Sequence, residues 1–328
     1  MAIIYKTTDT GVDFKRVKEI LEIAFGGRKI DDQDKIEKAF LHSQHKIYAY
    51  DDEKLIGFAR AISDTSWSII YNVALDPTYQ GKGIGKEIIN RLVKQLKGKE
   101  IFTFTHPRTI SLYEHLGFVR SKMAFKYINN SDIERINNQE RVGFFLHDNY
   151  LFEGEVQGLN REYKKIDVIY NTNLESTTIE NINELLEKAF NHKRDIRITE
   201  ADFKRADFIE LAFINNKLVG VARLITDGVG EALLLNVAVD KDYRGYGIGH
   251  EIIRRLASQA DGYDIFIHTH PKAIGFYNNS RDFKRYKTAF TYVGDKEYNH
   301  DFFLPRDYRY EDEYDNKEIK YYKGKVFN

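Results

Sequence analysis

Cysteine is missing from all 328 residues. That excludes disulfides, thiolate metal sites and a cysteine acyl-enzyme, and it leaves the compartment open. Net charge is missing too: 50 lysines and arginines balance 50 aspartates and glutamates. No global field draws nucleic acid or an anionic membrane. Apolar runs never approach the roughly 20 residues of a membrane span. The first residues, MAIIYKTTDTGVDFKRVKEI, lack a basic start and a sustained apolar stretch. No secretory leader is expected there, and a soluble cytoplasmic protein is.

What the chain does have is a repeat. NVALDPTYQGKGIGKEIINRLVKQL from Asn72 returns as NVAVDKDYRGYGIGHEIIRRLASQ from Asn236. Gln80 and Arg244 correspond across 164 residues, half the chain, so the unit is a duplicated domain and not a solenoid repeat. Length alone favours two domains, each large enough for its own core.

Each copy runs from a short branched apolar stretch, Ile69–Leu75 or Leu233–Val239, through a turn into alternate glycines. These are Gly81, Gly83 and Gly85, and Gly245, Gly247 and Gly249. Apolar residues at helical spacing follow: Ile84, Ile88, Leu92 and Leu96, then Ile248, Ile252 and Leu256. Bare backbone between a strand and a helix start lets a ligand approach, and the orphan N–H groups there suit a phosphate. Two common phosphate motifs fail on spacing. Lys86-Glu87 follows Gly85 where a P-loop needs Lys-Ser/Thr, and G-x-G-x-x-G would end on Lys86 or Ile88.

The pattern present, Gln80-Gly81-Lys82-Gly83-Ile84-Gly85 and Arg244-Gly245-Tyr246-Gly247-Ile248-Gly249, resembles the acetyl-CoA pyrophosphate loop of the GNAT superfamily of N-acetyltransferases. Downstream, Thr105 to Phe118 resembles that superfamily's last block, and Thr269 to Tyr277 repeats it before departing at Asn278. The resemblance covers roughly residues 3–128 and 167–293. It implies an α/β fold, a mixed sheet with helices on both faces, in two tandem copies. The expected domains are 1–128 and 165–293, each followed by an aromatic-rich extension, 129–164 and 294–328. Gly143–Tyr150 and Asp301–Tyr308 are matching stretches of those extensions. The extensions read either as extra strands on their own domain or as segments crossing to wall the other acceptor pocket. The halves are expected to pair as an intramolecular pseudo-dimer.

In the first copy, strands are expected over Ala2–Tyr5, Lys46–Tyr50, Leu55–Ile62 and Glu100–Thr105, with Phe125–Ile128 closing the half. Helices are expected over Asp13–Ala24 (stopped by Gly26-Gly27), Asp32–Leu41 and Pro107–Leu116. The second copy begins with strand Ile166–Tyr170 and helix Ile179–Phe190, and its hairpin Phe208–Phe213 and Leu218–Ile225 turns at Asn215-Asn216.

The resemblance also implies site residues. Backbone around Val73, Ala74 and Leu75, and around Val237, Ala238 and Val239, lines the acetyl-pantetheine arm and offers an oxyanion donor. Loop residues 81–86 and 245–250, reaching Lys86 and His250, hold the pyrophosphate. Tyr113 and Tyr277 stand at the general-acid position; as ordinary helix-face aromatics they would be core. His106 and His270 replace the usual asparagine, to keep its hydrogen bond or to serve as a base or relay. His268 shares a strand face with His270, but no third ligand is apparent and no metal is expected. Arg60 with Asp64 and Arg223 with Asp227 follow the hairpin, where such enzymes admit the acceptor. The two aspartates are candidates to orient a cationic amine, with an Arg–Asp pair as the plainer reading. The expected activity is acetyl transfer from acetyl-CoA to a primary amine of a small molecule, in a ternary complex. A peptide or protein amine is the second choice. The rivals are a non-catalytic acyl-CoA-binding scaffold, or one working and one structural half.

Overall fold

The hairpins set the frame. In the second half, Asn215 and Asn216 both take left-handed φ values, 49° and 62°, the conformation a two-residue hairpin turn requires. They join strands of alternating and continuous apolar residues that the chain then extends into a sheet. The computed structural model describes residues 2–24, 32–128, 145, 163–278, 280, 282–286 and 288–292. Gly26-Gly27, residues 294–328 and nearly all of 129–164 lie outside the described residues.

Strands of the first half are β1 (Ile3–Lys6), β2 (His45–Asp51), β3 (Lys54–Ser63), β4 (Trp67–Leu75), β5 (Glu100–Phe104), β6 (Phe118–Arg120) and β7 (Ala124–Tyr127). The second half has β8 (Ile169–Asn171), β9 (Phe208–Ile214), β10 (Lys217–Thr226), β11 (Glu231–Val239), β12 (Asp264–His268), β13 (Phe283–Arg285) and β14 (Ala289–Tyr292). Helices Phe14–Ala24 and Gln33–His42 sit in the expected places, as does Ile179–Phe190. Asp32 caps the second of these through the Asp34 amide, and Thr178 caps the third through Asn181. The helix expected over Pro107–Leu116 is a 3₁₀ turn, Pro107–Thr109, running into a short α-helix, Ile110–Glu114.

The two sheets do not follow the linear halves. One has the order β1-β2-β3-β4-β5-β14-β6, the other β13-β7-β12-β11-β10-β9-β8. The stretch expected to close the first half therefore closes the second. β7 pairs antiparallel with β12 (Ile267↔Phe125) and β13, and β14 pairs antiparallel with β5 (Phe290↔Thr103) and β6. Among the described residues the chain accordingly divides into a first unit, within 1–121, 227–230 and 288–292, and a second unit, within 122–226 and 231–286. Local sequence could not choose between slots, because β7 reads AFKY and β14 reads AFTY.

Cores follow the same periodicity in both units. Phe14, Val17, Ile20 and Leu21 pack with Phe40, Tyr48 and Phe58 in the first. Ile182, Leu185, Leu186 and Phe203 pack with Leu211 and Val221 in the second. The exchanged strands enter these interiors. Phe290 lies 5.6 Å from the Tyr113 ring and Phe125 lies 5.5 Å from Tyr277 (centroid distances). At the start of the fifth strand position the units differ. Asp264 pairs with Lys126 of β7 at 2.6 Å, both buried. Glu100, at the same place in the first unit, is buried, and burial pushes its carboxyl from 4.5 up to about 7.

Two outcomes follow from this packing. Trp67, the only tryptophan, stacks on Phe102 in the first unit and reports its unfolding. Phe290→Ala should lower the Trp67 fluorescence transition by about 3–5 kcal/mol, and Phe125→Ala should leave that probe the less affected. The reverse ranking would mean that the strands are not exchanged. Glu100 holds its proton more tightly folded than unfolded, so stability should fall as pH rises from about 4.5 through about 7. Glu100→Gln should remove a penalty on the order of 3 kcal/mol at about pH 8 and little at about pH 5, read by denaturant melts. An equal effect at both pH values would contradict a buried ionisation.

Candidate functional site

Both glycine loops sit at a helix start whose amides no side chain caps. After β4, Asp76 accepts from the Thr78 amide and turns the chain into a 3₁₀ segment, Pro77–Tyr79. Gly81 and Gly83 then take φ values of 75° and 79°, which admit glycine at little cost. Gly83 is the N-cap of helix Ile84–Gln95 and makes no side-chain cap bond. A Cβ built on Gly81 or Gly83 would meet nothing within 4 Å. Open space in front of orphan amides, with Lys82 and Lys86 in the sequence alongside, fits a pyrophosphate.

The second loop has the same backbone, with Gly245 at φ 85° and Gly247 at 78°. Its surroundings differ. A Cβ on Gly247 would come 3.1 Å from the Tyr163 ring, and one on Gly249 would come 3.3 Å from Phe276. His250 stacks on Phe276 at 4.2 Å, with Tyr163 on its other neighbour contact at 5.8 Å. Burial pulls the His250 imidazole below its usual range, which favours the neutral ring. Tyr246 and His250 stand where the first loop has lysines, so the second cradle is aromatic and less positive.

Next to each loop the sheet opens. β4 runs parallel with β5 only from Trp67↔Glu100 to Ile70↔Thr103. Asn72–Leu75 continue beyond that register, with no partner strand on the β5 side among the described residues. β4 is also bulged against β3: Phe58 faces Ala74 while Arg60 faces Tyr71, so two residues oppose Ala59. Asn72 takes φ 50° at the bulge. In the second unit β11 parts from β12 after Leu233↔Phe266 and carries the same bulge, with Asn236 at φ 54°. The backbone of Val73–Leu75 and of Val237–Val239 thus leaves one ladder just ahead of its glycine loop.

Tyr113 is buried, and burial pushes its phenol up to about 12, tempered by hydrogen bonds with Thr103 and Thr105. Thr103 Oγ1 in turn donates to the Ile70 carbonyl at 3.2 Å, the last paired residue of β4. The Tyr113 hydroxyl therefore stands at the point where the ladder ends. Tyr277 is equally buried and raised by burial, its hydroxyl hydrogen-bonds with Thr269, and Ile267 replaces Thr103. His106 lies just past β5 and its carbonyl accepts from the Thr109 amide at 2.9 Å. His270 caps the next 3₁₀ turn, its Nδ1 accepting from the Lys272 amide at 3.2 Å; burial and Lys272 both lower its pKa. His268 is driven by burial down to about 3. Among the described residues no group of three or more His, Cys, Asp or Glu side chains could hold a metal ion.

Arg60, Asp64, Arg223 and Asp227 all lie in the interior. The pairing is not the one the sequence order suggests. Arg60 donates to Asp227 at 2.7 Å, whereas Arg223 lies 3.4 Å from Asp202. Both arginines also reach the bulge: Arg60 Nε donates to Asn72 Oδ1 at 2.5 Å, and Arg223 Nε to Asn236 Oδ1 at 2.6 Å. Asp64 Oδ1 accepts from the Ser66 and Trp67 amides of its own turn. Asp202, Thr103 and Tyr163 escaped the sequence reading. The first two sit at helix and strand positions that look like ordinary core spacing, and Tyr163 lies in the extension of the first repeat, outside the matched motifs.

Comparisons with known proteins bear on the family and the fold. A family model described as "Acetyltransferase (GNAT) domain" matches residues 43–120, and one described as "Acetyltransferase (GNAT) family" matches 172–283. The chain is similar to an uncharacterized N-acetyltransferase, ycf52, of Gracilaria tenuistipitata var. liui: 45% identity over 69 residues, 20% of this chain and 38% of that protein. It is also similar to serotonin N-acetyltransferase 2, chloroplastic, of Oryza sativa subsp. japonica: 27% over 131 residues, 37% of this chain and 64% of that one. The chain spans 38–45% of the length of the first three curated relatives it matches. Among solved structures, a GCN5-related glucosamine N-acetyltransferase region of a fungal multi-domain β-N-acetylglucosaminidase aligns with 89% of this chain and 38% of its own, at TM-score 0.52 and 13% identity. That likeness is one of fold.

Proposed function

Since the chain belongs to the GNAT superfamily of N-acetyltransferases, two copies in one polypeptide, we propose that it transfers an acetyl group from acetyl-CoA to a primary amine of a small molecule, with the first unit as the working half. One observation carries this. In the first unit the Tyr113 hydroxyl hydrogen-bonds with Thr103, the last β5 residue paired with β4, the backbone of Val73–Leu75 continues beyond that pairing, and the loop that follows is open at Gly81 and Gly83.

Acetyl-CoA supplies the acyl group and departs as a thiol. The first-loop amides bind its pyrophosphate, and the backbone N–H groups of Val73–Leu75 hydrogen-bond the pantetheine arm and the carbonyl. Tyr113, with a phenol near 12, keeps its proton at neutral pH and holds it for the leaving sulfur, whose thiol value is about 8.5. The matched carboxylates described in the two units are buried, with Asp64 and Asp227 held in hydrogen bonds, so amine deprotonation through water fits the two copies. His106 keeps a place beside the arm, and His270 in the second unit is committed to capping its turn. Arg60, Arg223 and Asp227 serve the bulge in this reading, which leaves Asp64 of the four as a candidate to orient the amine. The expected location is the cytoplasm, although three relatives' names are chloroplastic. The location does not bear on the chemistry.

The mixed reading, one working half and one structural half, is favoured over a wholly non-catalytic scaffold by the Tyr163 ring over Gly247. Acetyl-CoA titrated into the protein by calorimetry should therefore bind at one dominant site. Gly83→Glu should abolish it, Gly247→Glu should leave it, and Tyr163→Ala should reveal a second site. No binding in any form would remove the acyl-CoA reading altogether. Turnover can be followed as thiol release without background, because the chain has no cysteine. With a panel of small primary amines, Tyr113→Phe should cut kcat by about a hundredfold and spare acetyl-CoA binding, while Tyr277→Phe changes little. Full activity in Tyr113→Phe would dismiss the phenol as the acid; no release with any amine would favour the scaffold.

A further inference from the structure

The bulge that frees Val73–Leu75 needs something to hold it. A non-glycine residue at positive φ is uncommon, and Asn72 sits at 50° in the middle of a strand. Its side-chain oxygen is held by Arg60 Nε. Arg60 is 2% exposed, lies 5.7 Å from the Phe40 ring centroid, and donates through its other nitrogens to Ser43 Oγ at 3.2 Å and to Asp227. Such a buried cation stays ordered only with a counter-charge and hydrogen bonds around it.

The second unit builds the same brace from local parts. Arg223 lies over Phe203 at the same 5.7 Å, donates to Asn236, and finds its carboxylate in Asp202, the residue before that phenylalanine. Asp202 belongs to the helix Ile196–Arg205 of the second unit itself and is also paired with Arg194. In the first unit the residue before Phe40 is Ala39, which offers only its carbonyl. The missing charge comes instead from Asp227, 167 positions beyond Arg60. That loop is shaped for the delivery. Asp227 Oδ1 accepts from the amides of Val229 and Gly230 at 3.1 and 2.9 Å. Gly228 takes φ 79°, and a Cβ there would come 3.3 Å from the His42 ring.

We propose that Asp227 is a positioning residue for the first transfer site, borrowed from the second half of the sequence: acting through Arg60, it holds Asn72 and so fixes the backbone of Val73–Leu75 that receives the acyl arm. The first site is then incomplete without a residue of the other repeat, while the second repeat offers Arg223 a carboxylate from its own helix. This rests on the acetyl-transfer reading for its function, and on the geometry alone for the brace.

The test uses the full chain with the second loop silenced by Gly247→Glu. Two readouts are taken: acetyl-CoA affinity by calorimetry, and amide hydrogen exchange of the peptide covering Trp67–Leu75. Asp227→Asn should weaken affinity by about tenfold and speed exchange in that peptide while the rest of the first unit stays protected. The decisive variant is Ala39→Asp with Asp227→Asn, which moves the carboxylate to where the second unit has it. It should restore both readouts, and it serves equally if Asp227→Asn alone does not fold. Affinity and exchange unchanged in folded Asp227→Asn would overturn the brace. So would a double variant that folds no better, or binds no better, than the single one. Failure of the parent to bind acetyl-CoA, with the exchange pattern as expected, would instead sink the transfer site and leave Asp227 a purely structural partner.

Discussion

Backbone pairing across the two repeats is the constraint from which the rest of the structure follows. A strand slot between β5 and β6, or between β12 and β13, would leave rows of buried N–H and C=O groups unmatched if it stayed empty. Each slot is filled by a strand from the opposite half, and the ladder is extended at its ends by Thr105 N–H to the Thr288 carbonyl and Ser121 N–H to the Ala289 carbonyl. Neither linear half can complete its own sheet. The exchange also reaches the chemistry, because Phe290 packs on Tyr113 and Phe125 on Tyr277. The aromatic ring that bears the candidate acid is thus steadied by a residue from the far end of the chain.

A fully paired sheet would have no room for a ligand. Two devices undo the pairing at one place: the parting of β4 from β5 after Ile70, and the bulge at Asn72. Each releases backbone groups that must find partners elsewhere, and an extended ligand alongside the strand would supply them. The cost of the released backbone is local. It is contained by a buried guanidinium, which fixes one strained asparagine while its own charge is met by a carboxylate. Tyrosine and threonine close the apex from the β5 side, with Thr103 linking the Tyr113 hydroxyl to the Ile70 carbonyl.

Much of this was legible in the residues. Alternate glycines between a branched apolar run and a helical one marked the loop, and the structure puts left-handed glycines and an uncapped helix start there. Asn215-Asn216 marked a hairpin for the same steric reason. Strand exchange was not legible, since AFKY and AFTY carry the same alternation and either can satisfy either slot. The Arg60–Asp227 pair was hidden for a related reason. Matched spacing pointed to Arg223 with Asp227, whereas the sheet brings together residues of different repeats. Nor could periodicity show that Ala39 and Asp202 occupy equivalent places with opposite consequences. Tyr163 lies in the first repeat's extension, outside the matched stretches Gly143–Tyr150 and Asp301–Tyr308, so the comparison of motifs did not draw attention to it.

Those differences between the copies point one way. The first loop has lysines and open space where the second has Tyr246, His250 and the Tyr163 ring. Tyr113 has two hydroxyl partners where Tyr277 has Thr269. Yet it is the second unit that pairs Asp264 with Lys126 and supplies its own carboxylate to Arg223, while the first buries Glu100 with a raised pKa and takes its counter-charge from Asp227. The copy better equipped for chemistry is the one less complete as a structure. An exchanged strand and a borrowed aspartate are tolerable only where the other repeat is always present, and covalent linkage in one chain guarantees that at high effective concentration. Duplication in a single polypeptide thereby relieves either copy of the need to be stable alone.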